Sequence, residues 1–227
     1  MPTRSSRSRS PESSPDRRRP LSRERIIDAA IDLADREGLA ALTMRRLGTH
    51  LGVEAMSLYK HVTDKEDLLD GVADRVTAAF EVPSPDLDWR TALRRSAISV
   101  HEALRRHPWA STVIESRLRL GPARLRYVDA VIGTMVAAGF SMPVIGRAFM
   151  ALDSHTYGFA LQEAAWTFEA GDAAAAEAFG RGLPEDEFPN LLAMTRAVGD
   201  DPELARVDFT FGLDLLLDGL AALRPKG

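Results

Sequence analysis

The stretch TMRRLGTHLGVEAMSLYKHV, Thr43 to Val62, decides the fold of this chain. It contains two short apolar-periodic runs hinged at Gly52. Thr43 can cap the first, because its hydroxyl can accept from a backbone N–H of the opening turn, and the run then points Leu47 and Leu51 inward. Gly52 permits a tight turn, and Glu54 to Lys60 can form a further helix of about two turns. Two helices crossing steeply need a small residue where their backbones approach, a sharp turn, and apolar side chains that lock the angle. Gly48, Gly52 and the set Leu47, Leu51, Val53 and Leu58 meet those needs, which is the logic of a helix-turn-helix.

What remains outward on the second run is Ala55, Met56, Ser57, Tyr59 and Lys60, with His61 just beyond. Methyls, a thioether, a hydroxyl, a phenol, an ammonium and an imidazole in so short a space match a DNA major groove. Ser and Lys can bond base edges or phosphates, Ala and Met can touch a thymine methyl, and Tyr can reach a phosphate oxygen. The competing reading is that Met56 and Tyr59 pack while Lys60 is a solvated charge.

Working outward, Ser22 is placed to cap RERIIDAAIDLADREG, in which Ile26, Ile27, Ala30, Ile31 and Ala34 share one stripe and Gly38 ends the helix. Downstream, TDKEDLLDGVADRVTAAF starts with a cap at Thr63 or Asp64 and repeats apolar residues at Leu68, Leu69, Val72, Val76 and Phe80. EVPSPDLD follows, with two prolines that forbid helix continuation, so the linker lies near Pro83 to Asp88. Helical periodicity resumes at about 88–106, 108–119, 122–138, 143–170, 186–199 and 203–223, with Pro108, Pro122, Pro143 and Pro202 near helix starts. The alanine-rich EAGDAAAAEAF reads as a helix end or a loop. No alternation of period two is long enough for a strand, and no repeats occur, so the expected class is all-α. Three parts are expected: a basic disordered tail over 1–21, a helix-turn-helix domain over 22–82, and a larger helical domain over 88–224.

Composition narrows the chemistry. With 227 residues and 45% hydrophobic content there is room for one sizeable core, or for a small domain attached to a larger one. No apolar run approaches the roughly 18–20 residues that span a bilayer, and the N-terminus has no apolar signal core, so a cytoplasmic protein without a membrane partner is expected. The absence of cysteine removes disulfides, thiolate nucleophiles and cysteine zinc sites. The five histidines form no HExxH pattern, and no GxSxG, GxGxxG or P-loop motif is present, which argues against an enzyme.

Charge is divided unevenly. Residues 1–65 hold 13 Arg/Lys against 9 Asp/Glu, a net of +4, whereas the remaining 162 residues hold 16 against 24, a net of −8. A basic front and an acidic back place the polyanion partner at the N-terminal end. The tail, which begins MPTRSSRSRSPESSPDRRRP, has six Ser, six Arg and four Pro over residues 1–21 and too few apolar groups to order itself. It reads either as a solvated leader or as an arm that touches phosphates or a minor groove.

The run LGV-x-x-x-x-LY-x-H-x-x-x-K-x-x-LL, within ALTMRRLGTHLGVEAMSLYKHVTDKEDLLDGV, resembles the DNA-binding domain of the tetracycline-repressor (TetR) family of bacterial regulators. The resemblance covers Arg23 to Phe80 and extends more thinly through DWRTALRRSAISVHEALRRHPW and SHTYGFALQEAA. It implies contacts to a double-stranded DNA operator from Met44 and Arg45, from Ala55, Met56, Ser57, Tyr59, Lys60 and His61, and from Lys65. By its chemistry Arg45 is the nearby residue able to grip guanine bidentately, while Tyr59, Lys60 and Lys65 suit phosphates. His61 either donates to a phosphate or closes the helix.

For the C-terminal half the resemblance implies a small-molecule effector pocket. Trp109, Tyr127, Met135, Phe149, His155, Tyr157, Phe159 and Trp166 are spread over four predicted helices, and each reads either as core or as pocket wall. His101, Arg105, Glu115, Asp153 and His155 are polar residues on otherwise apolar helices and are the candidates for orienting a ligand. The candidate effector set is therefore His101, Arg105, Trp109, Glu115, Tyr127, Phe149, Asp153, His155 and Tyr157. Tetracycline repressors hold their drug through magnesium bound partly by a histidine, and that position corresponds to Val113 here. Glu163 is retained, but one carboxylate makes a poor site, so neither a metal nor a cofactor is expected.

The last helix, PELARVDFTFGLDLLLDGLAAL, carries apolar residues from Leu204 and Val207 through Phe209, Phe211, Leu213, Leu215, Leu216, Leu217, Leu220 and Leu223. That stripe is too wide for one neighbour. With the 143–170 helix it fits a two-fold four-helix bundle, hence a homodimer and a pseudo-palindromic operator. The expected function is a ligand-released repressor. An architectural DNA binder without an effector and a helical enzyme are the rival readings.

Overall fold

The computed structural model describes residues 20–117, 119–165, 178–201 and 208–224. These residues are helices and connecting turns with no strand among them. None of their helices is long and apolar enough to cross a membrane. Backbone contacts divide the chain into two compact units that meet between Val72 and Ala73. Most of the expected tail, together with Trp166, Leu204, Val207 and most of the alanine-rich stretch, lies outside the described residues.

The first unit opens with α1, Arg23–Glu37, whose cap Ser22 accepts from the Arg25 N–H at 3.3 Å and whose end is the positive-φ Gly38. Its buried face is Ile26, Ile27, Ala29, Ala30, Leu33 and Ala34. Ile31 is only half-buried, because a stripe centred on Ala30 and Leu33 leaves it at the edge. A short 3-10 turn, Leu39–Ala41, leads to α2, Met44–Leu51, capped by Thr43 Oγ1, which accepts from Arg46 N at 3.2 Å. Leu42 and Leu47 flank that cap at staple positions, and both are fully buried.

Next come α3, Ala55–Leu58, and α4, Lys65–Thr77, which begins where Asp64 Oδ1 accepts from Asp67 N at 2.8 Å. Arg23 ties the start of α1 to that of α4. Its guanidinium donates to both Asp67 carboxylate oxygens, at 2.9 and 2.6 Å, and to the His61 carbonyl at 3.2 Å. The Arg23 hydrogen bond is the main reason the Asp67 carboxyl is held down at about 2. The boundary between the units falls inside α4, which is one continuous helix.

The second unit begins with the last residues of α4 and includes the proline-bearing segment Glu81–Asp88, which is non-helical as expected. It contains α5, Trp89–Arg106; α6, Ala110–Glu115; α7, Pro122–Ala137; α8, Met142–Ala165; α9, Pro189–Asp200; and α10, Phe209–Ala222. Asp88 caps α5 and Asp208 caps α10, each accepting two backbone N–H groups. The helix expected over 108–119 is cut to six residues, because the backbone closes into a turn in which Arg117 N donates to the Ile114 carbonyl. The core gathers Leu93 and Ala97 of α5, Val131 and Met135 of α7, Ile145 of α8, and Phe209, Leu213, Leu217 and Leu220 of α10. Outside it, Arg94 grips Asp214 with two hydrogen bonds, at 2.8 and 3.1 Å, and Arg90 pairs with Asp218.

Candidate functional site

The α2–α3 corner needs both of its glycines, for different reasons. Gly52 sits at φ 71°, ψ 32°, a left-handed conformation that disfavours other residues. Gly48 is needed for space: a Cβ there would stand 2.9 Å from the Val53 carbonyl oxygen and 3.1 Å from Ala55 N. Leu47, Leu51 and Leu58 are buried beneath the corner, as expected, whereas Val53 is half-buried. The second helix of the motif is shorter than expected. The α3 helix is a single turn, because the Leu58 carbonyl accepts from both His61 N and Val62 N and the chain tightens there. Tyr59, Lys60 and His61 therefore stand on a turn rather than on a helix face.

On the outer side, Met56 leaves 74% of its surface exposed and Tyr59 44%, so the reading in which Met56 simply packs fails within this chain. Arg45, Lys60 and Lys65 are exposed; Met44, Ala55, Ser57 and His61 are half-buried. Arg45 and Arg46 differ in what they hold. Arg46 pairs with Glu37, whereas the Arg45 guanidinium has no partner among the described residues. A buried structural set and an outward chemical set are thus separated within twenty residues.

In the second unit α5, α7 and α8 line a partly open cavity of about 30 Å³. The α5 helix contributes Leu93, Ser96, Ala97 and Val100, α7 contributes Tyr127 and Val131, and α8 contributes Phe149, Leu152, Asp153, Thr156 and Tyr157. Ser96 donates to the Tyr127 hydroxyl at 3.2 Å. Burial raises both tyrosines above the usual phenol range. It also pushes the Asp153 carboxyl up to about 6, with help from the negative Glu115 and against the pull of Arg124. A wider open groove of about 570 Å³ runs between the Pro83–Trp89 segment and α7, but none of the candidate effector residues lines it.

Four of the nine candidates, Tyr127, Phe149, Asp153 and Tyr157, share this cavity. The other five do not line it. His101 stacks on Phe209 with ring centroids 4.2 Å apart and bonds to Glu163 at 2.8 Å. His155 stacks on the same Phe209 at 5.0 Å and bonds to its carbonyl, so the two histidines clamp α10. Arg105 is exposed beside Glu163, Trp109 is half-buried next to His107, and Glu115 pairs with Arg124 at 2.8 Å. Ser96, Thr156 and Arg124 belong to the cavity or its surroundings and were not read from the sequence. Helical serines and threonines commonly bond their own backbone, so nothing local marks them. Val113 is buried and apolar, and Glu163 is engaged with His101 and Arg105, so these positions do not fit a magnesium site.

Comparison with known proteins accords with this division. Residues 26–72 match the model of the bacterial regulatory proteins of the tetR family, and residues 82–224 match the tetracyclin repressor-like C-terminal domain. The HTH-type transcriptional repressor DrrR1 of Streptomyces coeruleorubidus is 34% identical over 220 residues, covering 89% of this chain and 78% of the relative. The structure of ActR from Streptomyces coelicolor in complex with actinorhodin superposes with a TM-score of 0.77 at 26% identity, covering 91% of this chain and 98% of that one. BioQ with its double-stranded DNA operator gives 0.63 at 25% identity, covering 89% and 99%. With a helix-turn-helix unit followed by a helical domain that matches along its whole length, the chain belongs to the TetR family of bacterial transcriptional regulators.

Proposed function

We propose that this regulator is a homodimeric repressor that holds a pseudo-palindromic operator and leaves it when a small molecule enters the α5–α7–α8 cavity. Family membership makes it a DNA-binding regulator and not an enzyme. The observation that carries the operator reading is the outward set at the α2–α3 corner: exposed Arg45, Met56, Tyr59 and Lys60 over buried Leu47, Leu51 and Leu58. Arg45 reads guanine through two N–H donors, Ala55 and Met56 touch thymine methyls, and Tyr59, Lys60 and Lys65 grip phosphates beside the start of α4. Met44, Ser57 and His61 complete the contact surface.

Release follows from linkage. An effector that binds better to the non-binding geometry lowers DNA affinity by the same factor by which DNA lowers effector affinity. The α4 helix, which crosses from one compact unit to the other, is the lever through which that coupling acts. The dimer reading is supported by apolar side chains left exposed on α8 and α10, namely Met150, Leu161, Phe211 and Leu215.

The test is selection of bound DNA fragments followed by titrations at several salt concentrations. Arg45→Ala is expected to cost about 1–3 kcal/mol on the selected sequence and to relax its preference, whereas Lys65→Ala weakens every sequence alike and lowers the salt slope by about one. Equal loss on selected and random DNA for Arg45→Ala would remove its base-reading role.

A further inference from the structure

The polar groups of the α5–α7–α8 cavity are not equally satisfied. Ser96 and Tyr127 bond to each other at 3.2 Å, and the Thr156 hydroxyl donates to the Leu152 carbonyl at 2.8 Å. Among the described residues the Asp153 carboxyl and the Tyr157 hydroxyl have no hydrogen-bond partner. The nearby cation does not settle Asp153. Arg124 spends one nitrogen on the Ile114 carbonyl at 2.7 Å and another on Glu115 at 2.8 Å, while its guanidinium lies 6.0 Å from the centroid of the Tyr157 ring. Counting charges, Arg124 is matched by Glu115, and Asp153 is left as one surplus negative group on an otherwise uncharged wall. A half-buried carboxylate without a partner costs stability, so its retention at a cavity marks a place for a ligand.

We infer that the effector is a planar aromatic molecule bearing a protonated amine, with the amine donating to the Asp153 carboxylate and the ring system lying among Tyr127, Phe149 and Tyr157. The inference rests on the reading of this cavity as the effector site. A second amine proton can go to the Tyr157 hydroxyl oxygen, which satisfies the other open group. The cavity, at about 30 Å³, is small for a ring system, so binding requires the helices around it to shift. The charge interaction supplies a reason for that opening to favour a cation over a neutral molecule of the same shape.

The test uses the full-length protein and three anthracenes of nearly equal shape: 9-(aminomethyl)anthracene, 9-anthracenemethanol and anthracene-9-carboxylate, followed by their fluorescence. The amine is expected to bind about tenfold more tightly than the alcohol, with the carboxylate weakest. Asp153→Asn should cancel the amine's advantage while leaving the alcohol's Kd within about twofold, and Asp153→Glu should restore part of it. Equal binding of amine and alcohol, stronger binding of the carboxylate, failure of the amine to bind, or an amine preference that survives Asp153→Asn would each overturn the inference. Ala97→Phe, checked for folding by circular dichroism, separates this from failure of the effector-site reading. Anthracenes that remain bound after that filling substitution occupy another place, and the cavity reading falls. An alcohol that is expelled by it but bound no less tightly than the amine leaves the cavity reading standing and removes only the amine.

Discussion

At the residue scale, neighbouring side chains of the same type have different tasks. Arg45 and Arg46 are adjacent, yet Arg46 is held by Glu37 and Arg45 is open to solvent. Asp67 and Asp153 are both carboxyls on helices, yet their environments drive them in opposite directions, to about 2 and about 6. For Asp153 the folded state binds a proton more tightly than the unfolded chain does. Its stability cost is therefore absent below about pH 4, grows as pH rises from about 4 to 6, and is complete above 6. Asp153→Asn should raise the melting temperature at pH 7.5, with the gain shrinking to nothing as pH falls through that window. Solvent screening leaves about 1 kcal/mol of the effect, or about 2–4 °C for a chain of this size. Thermal unfolding at pH 4, 5, 6 and 7.5 measures it; a gain that is constant with pH would mean that burial of the charge is not the cause. Asp153 could be singled out in the sequence as an acid on an apolar helix, but its lack of a partner could not, since that depends on where Arg124 and Glu115 point.

At the element scale, side chains cap several helix starts: Ser22 and Thr43 were readable as caps because cap and capped residues are neighbours, Asp64 takes the α4 start for which Thr63 was the alternative, and Asp88 caps α5 in the same local way. The start of α7 is different. Its cap Gly121 has no side chain to offer, and Asp74 of α4 does the capping from 49 residues away, accepting from Ala123 N at 2.8 Å and Arg124 N at 3.4 Å. The glycine is there to make room: a Cβ on it would lie 2.2 Å from Asp74 Oδ1 and 2.7 Å from Asp74 Cβ. Asp74→Ala should cost about 1 kcal/mol through the lost cap. Gly121→Ala should cost about 1–3 kcal/mol through overpacking. Their combination should cost less than the sum, because removing the carboxylate relieves the clash. Urea unfolding of the four proteins in the cycle decides this, and simple additivity would mean that the two residues do not share the contact.

At the scale of the whole molecule, the apolar pattern of the last helix exceeds what its own chain covers. Phe209, Leu213, Leu217 and Leu220 of α10 are buried in the core, while Phe211, Leu215 and Leu223 remain exposed. On α8, Met142, Met150 and Leu161 are exposed as well. A second copy is the occupant the proposed dimer supplies. Phe211→Glu with Leu215→Glu should convert a dimer to a monomer in sedimentation runs without loss of helical content. It should also lower affinity for two-half-site DNA by tenfold or more while sparing a single half-site. An unchanged sedimentation coefficient would assign those side chains to something else.

The all-helical class, the corner at Gly48 and Gly52 and most helix ends were determined by sequence alone. Each rests on neighbours within one or two turns: an i, i+3 or i+4 stripe, a cap, a proline, a left-handed glycine. Periodicity says which face of a helix is buried but not against what. Which aromatics share a cavity was therefore decided only by tertiary structure, which brought Tyr127, Phe149, Asp153 and Tyr157 together and sent His101 and His155 to clamp Phe209 instead. The same holds for the one-turn α3 and for Arg23 bridging to Asp67 across 44 residues. Helix rotation and register are set by packing many side chains at once, so such pairings exist only after the chain has closed on itself.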